Sequence, residues 1–162
     1  MVREAERMGI MVWSEIPVYW TIAWKNEDTY KNAERQLTDM IARDKNRANV
    51  IIWSIANETP HSAERDLFLS RLAQYARTQD TTRLISMAME VTGASNYVNR
   101  LQDNMHQYVD IVSFNQYIGW YRYFKLFPIH IKFIHVFLFF QTMLYCPIFS
   151  IVIMLNFSIV RM

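Results

Sequence analysis

The chain has 162 residues, 20% of them charged, and a formal net charge of +2. Three of its 17 basic residues, Lys125, Lys132 and Arg161, lie beyond residue 122, where no acid follows, which leaves 14 basic against 15 acidic side chains in the first 122 residues. That balance excludes a basic nucleic-acid footprint in the body of the chain, and the single cysteine, Cys146, excludes a disulfide framework or a cysteine zinc site.

The first residues, MVREAERMGI, are polar and helix-prone and lack the apolar core and cleavage site of a secretory signal. From residue 3 to about 117, short apolar runs alternate with segments of helical period, the pattern of βα units around a parallel sheet. The first predicted strand is Gly9 to Trp13, closed by Ser14-Glu15-Ile16-Pro17, where proline removes a ladder donor. A helix is predicted from about Glu27 to Arg43, with Tyr30, Ala33, Leu37, Met40 and Ile41 on one stripe and Glu27 and Asp28 at the positive end of its dipole. The second strand, Asn49 to Ala56, is apolar almost throughout, as a strand buried on both faces must be, and stops at Asn57-Glu58-Thr59-Pro60. A helix from about Ser62 to Thr78 follows, with Ser62 as its N-cap and Leu69, Leu72, Ala73 and Ala76 inward. The third strand is Leu84 to Ala88, and the fourth is Asp110 to Phe114, leading into Asn115-Gln116-Tyr117.

The segment IIWSIANE, residues 51–58, resembles the acid/base signature of family 2 glycoside hydrolases, the group that includes β-galactosidases, β-glucuronidases and β-mannosidases. MGIMVWSEIP resembles that family's third barrel strand and SFNQYIGWY its sixth, in the right order. The resemblance covers about residues 3–122 and implies an α/β fold, a partial (β/α)8 barrel spanning about strands three to six. A complete barrel takes roughly 250 residues, so the chain is expected to be a piece of one. Active sites of such barrels sit at the C-terminal ends of the strands, which gathers Glu15, Asn57, Glu58, Asn115 and Tyr117 on one rim.

By the same resemblance Glu58 is the general acid/base of a retaining exo-β-glycosidase, Asn57 binds the sugar 2-hydroxyl, and Asn115 and Tyr117 are polar groups after strand six. A glutamate that donates a proton at neutral pH needs desolvation or a second carboxylate beside it, since unperturbed glutamate titrates near pH 4.3. Glu15 has two readings, a rim acid lining the sugar subsite or a brace for its loop. Trp13, Trp53 and Trp120 offer rings for stacking, but Trp13 and Trp53 lie inside strands and are expected in the core. The competing reading of Glu58 is an acid that leads the next helix. No cofactor and no metal site enters this picture, because His61 and His106 form no constellation with the acids near them, and a Gly-rich phosphate cradle is absent.

The resemblance stops near Arg122. The family needs a second glutamate as nucleophile, yet the last glutamate is Glu90 and the last acid Asp110. Residues 123–162 form an apolar segment in which Phe133 to Val160 contain no Asp, Glu, Lys or Arg. As a helix of 1.5 Å rise this run spans about 42 Å, more than the roughly 30 Å of a bilayer core. Two readings stand: translation past a break in the frame, or a membrane segment weakened by Pro147 and by His130 and His135 near its start. The expected partner is a carbohydrate, with galactose, glucuronate and mannose all open, and oligomeric state is left open. A whole enzyme of this kind is expected in the cytoplasm or periplasm. The rivals to a family 2 fragment are a fragment of another retaining barrel glycanase, such as an endo-acting cellulase or mannanase, and a membrane-tethered, non-catalytic protein.

Overall fold

The structure, a computed structural model, describes residues 1–90, 92–95, 98–100 and 102–115. Tyr117, Trp120, Cys146 and the whole of the segment 123–162 lie outside the described residues. Helix α1 (Val2–Arg7) opens the chain, and Gly9 turns out of it with φ +69°. The Gly9 N–H donates to the Glu6 carbonyl at 3.1 Å and the Ile10 N–H to the Ala5 carbonyl at 2.8 Å, which satisfies the helix's last acceptors. Gly9 therefore ends a helix instead of starting a strand. In consequence the first strand, β1, runs Val12–Glu15, shifted along the chain from the expected Gly9–Trp13.

The next elements fall within a residue of expectation. Helix α2 (Glu27–Asp44) is capped by Asn26, whose side chain accepts from the Asp28 N–H at 2.8 Å, and it buries Tyr30, Ala33, Leu37, Met40 and Ile41. Strand β2 (Val50–Asn57) is followed by α3 (Ala63–Gln79), with Ser62 accepting from the Arg65 N–H at 3.1 Å as its N-cap. Strand β3 is Leu84–Met89. The connection after β3 was not legible in advance. It contains an antiparallel hairpin, β4 (Thr92–Ser95) with β5 (Val98–Arg100), and a 3-10 helix, Asn104–Gln107, and among the described residues it carries no α-helix. Strand β6 (Ile111–Phe114) completes the set.

Four strands form one parallel sheet in the order β1-β2-β3-β6. Each crossover steps to the next position in the same direction, as in a barrel wall, whereas a doubly wound sheet reverses direction at a switch point. Along each strand the side chains alternate. Val12, Trp53, Ile55, Ile85, Met87 and Met89 join Leu37, Ile41, Leu69 and Leu72 of the helices in one core. The three leucines are completely buried, and truncating any of them to alanine costs about 2–5 kcal/mol.

The alternate residues, Trp13, Glu15, Ser54, Ser86, Ala88 and Ser113, occupy the opposite face of the sheet. There Ser54 donates to Glu15 at 2.5 Å, and the Ser86 and Ser113 hydroxyls meet at 2.9 Å. Trp13 and Trp53 are both buried. Among the described residues no helix is long and apolar enough to cross a membrane.

Candidate active site

Strand β2 does not end cleanly. Its register with β3 shifts between Ser54 and Asn57, and past its last residue the Glu58 N–H still donates to the Ala88 carbonyl at 2.8 Å. On the other side the segment after β1 closes against the same point. The Asn57 N–H donates to Val18 O at 2.8 Å, the Trp20 N–H to Asn57 O at 3.3 Å, and Tyr19 bridges Asn57 in parallel. The chain is thus held from both sides where it turns, and it turns sharply: Glu58 has φ +45° and Trp20 φ +52°, the two non-glycine residues at positive φ among those described. Such a conformation costs on the order of 1–3 kcal/mol per residue and persists only where surrounding bonds enforce it.

Around this turn the side chains converge. Asn115, just past β6, donates its Nδ2 to Asn57 Oδ1 at 2.7 Å and to Glu58 Oε1 at 3.0 Å. Residues separated by more than 50 positions therefore form one hydrogen-bonded cluster at the C-terminal end of the sheet. The Asn115 Oδ1 atom is buried and finds no hydrogen-bond partner among the described residues. Glu58 is half-buried and precedes the cap of α3, whose first-turn acids are Glu64 and Asp66. The reading of Glu58 as the acid that leads that helix is thereby weakened, since other carboxylates occupy those positions.

Glu15 ends the neighbouring strand and is only 5% exposed. Its Oε2 accepts from the Trp13 indole N–H at 3.3 Å and from the Ser54 hydroxyl. Burial pushes its pKa up to about 7, the two hydrogen bonds oppose that shift, and the charge of Glu58 adds to it. Four of the five residues expected on the rim lie in the described region at strand ends; the fifth, Tyr117, is beyond it.

Two features of the site were not foreseen. Tyr19 and Trp20 stand 52% and 61% exposed beside Asn57, ring edge to ring face at 5.9 Å. Two adjacent aromatics just past Pro17-Val18, after the end of β1, were the available signal. The second feature is a buried ionic clamp behind the loop that follows Glu58. Arg65, fully buried, makes a bidentate pair with Asp103 at 2.7 and 2.6 Å and donates its Nε to Thr59 Oγ1 at 2.9 Å. His61 approaches the same carboxylate at 3.3 Å, and the clamp ties the loop to the 3-10 helix that Asp103 caps. Arg65 and Asp103 are 38 residues apart, a separation that no local pattern betrays. A separate open depression of about 440 Å³, lined by Ala23, Trp24, Lys25, Asn26 and Glu64, contains none of the residues gathered around Glu58.

Comparison with known proteins finds a match over residues 1–135 to the sequence model of the glycosyl hydrolases family 2 TIM barrel domain. A β-glucuronidase of Paenibacillus borealis is 30% identical over 132 residues, covering 73% of this chain and 21% of that protein. A β-galactosidase of Thermoanaerobacterium thermosulfurigenes is also 30% identical, over 118 residues, covering 72% of this chain and 14% of its own length. Among solved structures, a β-glucuronidase from an uncultured Clostridium superimposes with a TM-score of 0.59 at 28% identity, covering 74% of this chain and 21% of that one. The chain spans about one fifth of the length of the first curated relatives it matches.

Proposed function

This chain belongs to the glycosyl hydrolases of family 2, in their barrel domain, and on that premise we propose that it carries the acid/base side of a retaining exo-β-glycosidase site for terminal β-glucuronides or β-galactosides. Glu58 protonates the departing glycosidic oxygen in the first step. In the second it takes a proton from the water that hydrolyses the glycosyl-enzyme intermediate. Asn57 binds the 2-hydroxyl, and Asn115, with its amide already engaged, turns a carbonyl oxygen to a sugar hydroxyl. Tyr19 and Trp20 present ring surface on which the leaving group stacks. Of the two readings of Glu15, burial favours the brace over direct contact with sugar.

The observation that supports this reading is the hydrogen-bonded cluster of Asn57, Glu58 and Asn115 at the C-terminal end of a parallel sheet, the end at which barrel enzymes do their chemistry. Beyond Asp110 the sequence holds no carboxylate to attack an anomeric carbon. General acid/base help is worth roughly 10²–10⁴-fold; enzymes accelerate reactions by roughly 10⁶–10¹⁷-fold. The 162-residue chain is therefore expected to release no chromophore from aryl β-glycosides, and turnover that Glu58→Gln abolishes would refute this.

Binding tests the site itself. Methyl β-D-glucuronide or methyl β-D-galactoside added to the ¹⁵N-labelled chain is expected to shift the amide signals of Asn57, Glu58 and Asn115 and to leave the outer face of α2 unmoved. Shifts centred away from the strand ends would overturn the proposal. The family match runs to residue 135, the apolar segment read from the sequence is 123–162, and membrane fractionation with and without that segment separates an anchor from an inert extension.

A further inference from the structure

Glu58 is held at φ +45°, a conformation that its surroundings must enforce. On the chain leading into the turn, the Asn57 and Glu58 N–H groups donate to the Val18 and Ala88 carbonyls, each at 2.8 Å. After the turn come Thr59 and then Pro60, which has no N–H to give. There the hold passes to a side chain: Thr59, with no exposed surface, accepts from Arg65 Nε at 2.9 Å. Arg65 is fixed in its turn. Its backbone N–H donates to the Ser62 cap at 3.1 Å, and its guanidinium donates to both carboxylate oxygens of Asp103 and to Asp66. Asp103 lies in the connection between β3 and β6, accepts the Met105 N–H at 2.9 Å and is approached by His61 Nε2 at 3.3 Å. The same connection leads through β6 to Asn115, whose amide reaches Glu58 Oε1 at 3.0 Å. One stretch of chain therefore grips the Glu58 turn twice, directly through Asn115 and by way of Asp103 and Arg65.

Stability alone is a poor reason for a buried ion pair, because desolvating two charges offsets most of their attraction and apolar replacements are often neutral or better. A planar guanidinium does what an apolar side chain cannot: its rigid fork of donors ties a carboxylate and a hydroxyl to set places at once. We propose that Arg65, locked by Asp103, is a positioning residue that holds Glu58 in its left-handed turn through the hydroxyl of Thr59. This rests on the reading of Glu58 as the acid/base group and deepens it. Arg65 touches no reacting atom. A turn that relaxed to negative φ would re-aim the Glu58 side chain away from Asn57 and Asn115, and misplacements on the order of 1 Å cost catalysis about 10²-fold.

The test is Thr59→Val, which keeps the volume and the Arg65–Asp103 pair and removes the hydroxyl that Arg65 grips. The first readout, on the isotopically labelled 162-residue chain, is the strong intraresidue N–H to Hα cross-peak that marks positive φ. It is expected at Glu58 in the native chain and in Thr59→Ser, and is expected to be lost in Thr59→Val while Trp20 keeps its own. The second is alkylation of Glu58 by an N-bromoacetyl β-D-glucuronosylamine or β-D-galactosylamine, expected to slow by about tenfold or more in Thr59→Val and to recover in Thr59→Ser. Asp80→Asn weakens the fold from the other end of the sheet and is expected to leave both readouts native, whereas a purely structural clamp would make it behave like Thr59→Val. His61→Ala, at the surface, loosens the loop's other tie to Asp103 and is expected to move both readouts in the same direction; it decides alone if Thr59→Val does not fold. A native chain without the mark at Glu58, or Glu58 signals that the variants leave unchanged, overturns the inference. Alkylation of native Glu58 that free sugar does not suppress would sink only the glycosidase reading, since the cross-peak still reports the clamp. Suppressible alkylation at a native rate in Thr59→Val would sink only the clamp.

Discussion

The buried acids at the N-terminal ends of the strands and Glu15 at the C-terminal end of β1 are treated in opposite ways. At the N-terminal ends of the strands every acid is answered. Asp80 accepts from Trp53, from the backbone and hydroxyl of Thr82, and from Arg83, which also donates to the carbonyls of Val50 and Arg47. Asp44, 2% exposed, is held by Arg43 and Arg47. Asp110 accepts from the Ile85 N–H and from Arg77. Burial alone would raise Asp80, yet this set of donors carries its pKa down to about 2. At the C-terminal ends Glu15 is buried with only neutral donors and an acid for a neighbour, and its pKa goes up to about 7. On the proposed function, the contrast is between an end arranged for stability and the end at which barrel enzymes place their chemistry.

Three substitutions test this difference. The largest effect is expected from Arg65→Met, which strands the buried Asp103 charge and unties Thr59 from behind Glu58. Removing one partner of a buried pair costs about 3–5 kcal/mol, read as a lower denaturant midpoint. The second concerns Glu15. Its pKa is raised in the folded state, so the folded chain binds more protons than the unfolded chain between the ordinary glutamate value and about 7, and stability falls as pH rises through that window. The loss approaches about 3 kcal/mol above pH 7, and Glu15→Gln is expected to flatten the curve and exceed the native chain in stability there. The third is the mirror image at the other end. Asp80 is depressed, so its contribution is present above the ordinary aspartate value and is lost as pH falls toward 2. Asp80→Asn is expected to remove about 2 kcal/mol at neutral pH and to weaken the acid limb of the unfolding profile. Equal pH slopes at Glu15 and Asp80 would erase the distinction between the two ends.

What the sequence disclosed follows from the range of the forces involved. Helices α2 and α3 were legible because a 3.6-residue stripe, the acidic first turn of α2 and the Ser62 cap of α3 are local features, and the stripe residues from Tyr30 to Ile41 are buried. Strand β2 was legible because burial on both faces demands an unbroken apolar run. Strand β1 was misplaced because Gly9 serves equally as a strand opener or a helix terminator, and only the hydrogen bonds back to Ala5 and Glu6 decide between them. The hairpin of β4 and β5 was missed because Thr92–Ser95 and Val98–Arg100 carry no apolar run of the kind that marks β1 and β6. At the site, residue types and strand-end positions were readable for Glu15, Asn57, Glu58 and Asn115. The left-handed turns at Trp20 and Glu58 were not, since neither residue type announces positive φ. Nor was the Arg65–Asp103 clamp, which exists only once the chain has brought α3 against the 3-10 helix.

In the proposed function Glu58 faces a bound β-glycoside from the leaving-group side. An N-bromoacetyl β-glycosylamine places an electrophile where the leaving group sits, and a carboxylate beside it displaces bromide to form an ester. Mass spectrometry of the digested chain is expected to find that ester on Glu58, suppressed by excess free glycoside and absent from Glu58→Gln. Alkylation spread over other carboxyls, or located on Glu58 but indifferent to competing sugar, would contradict the assignment of Glu58 as the acid/base group.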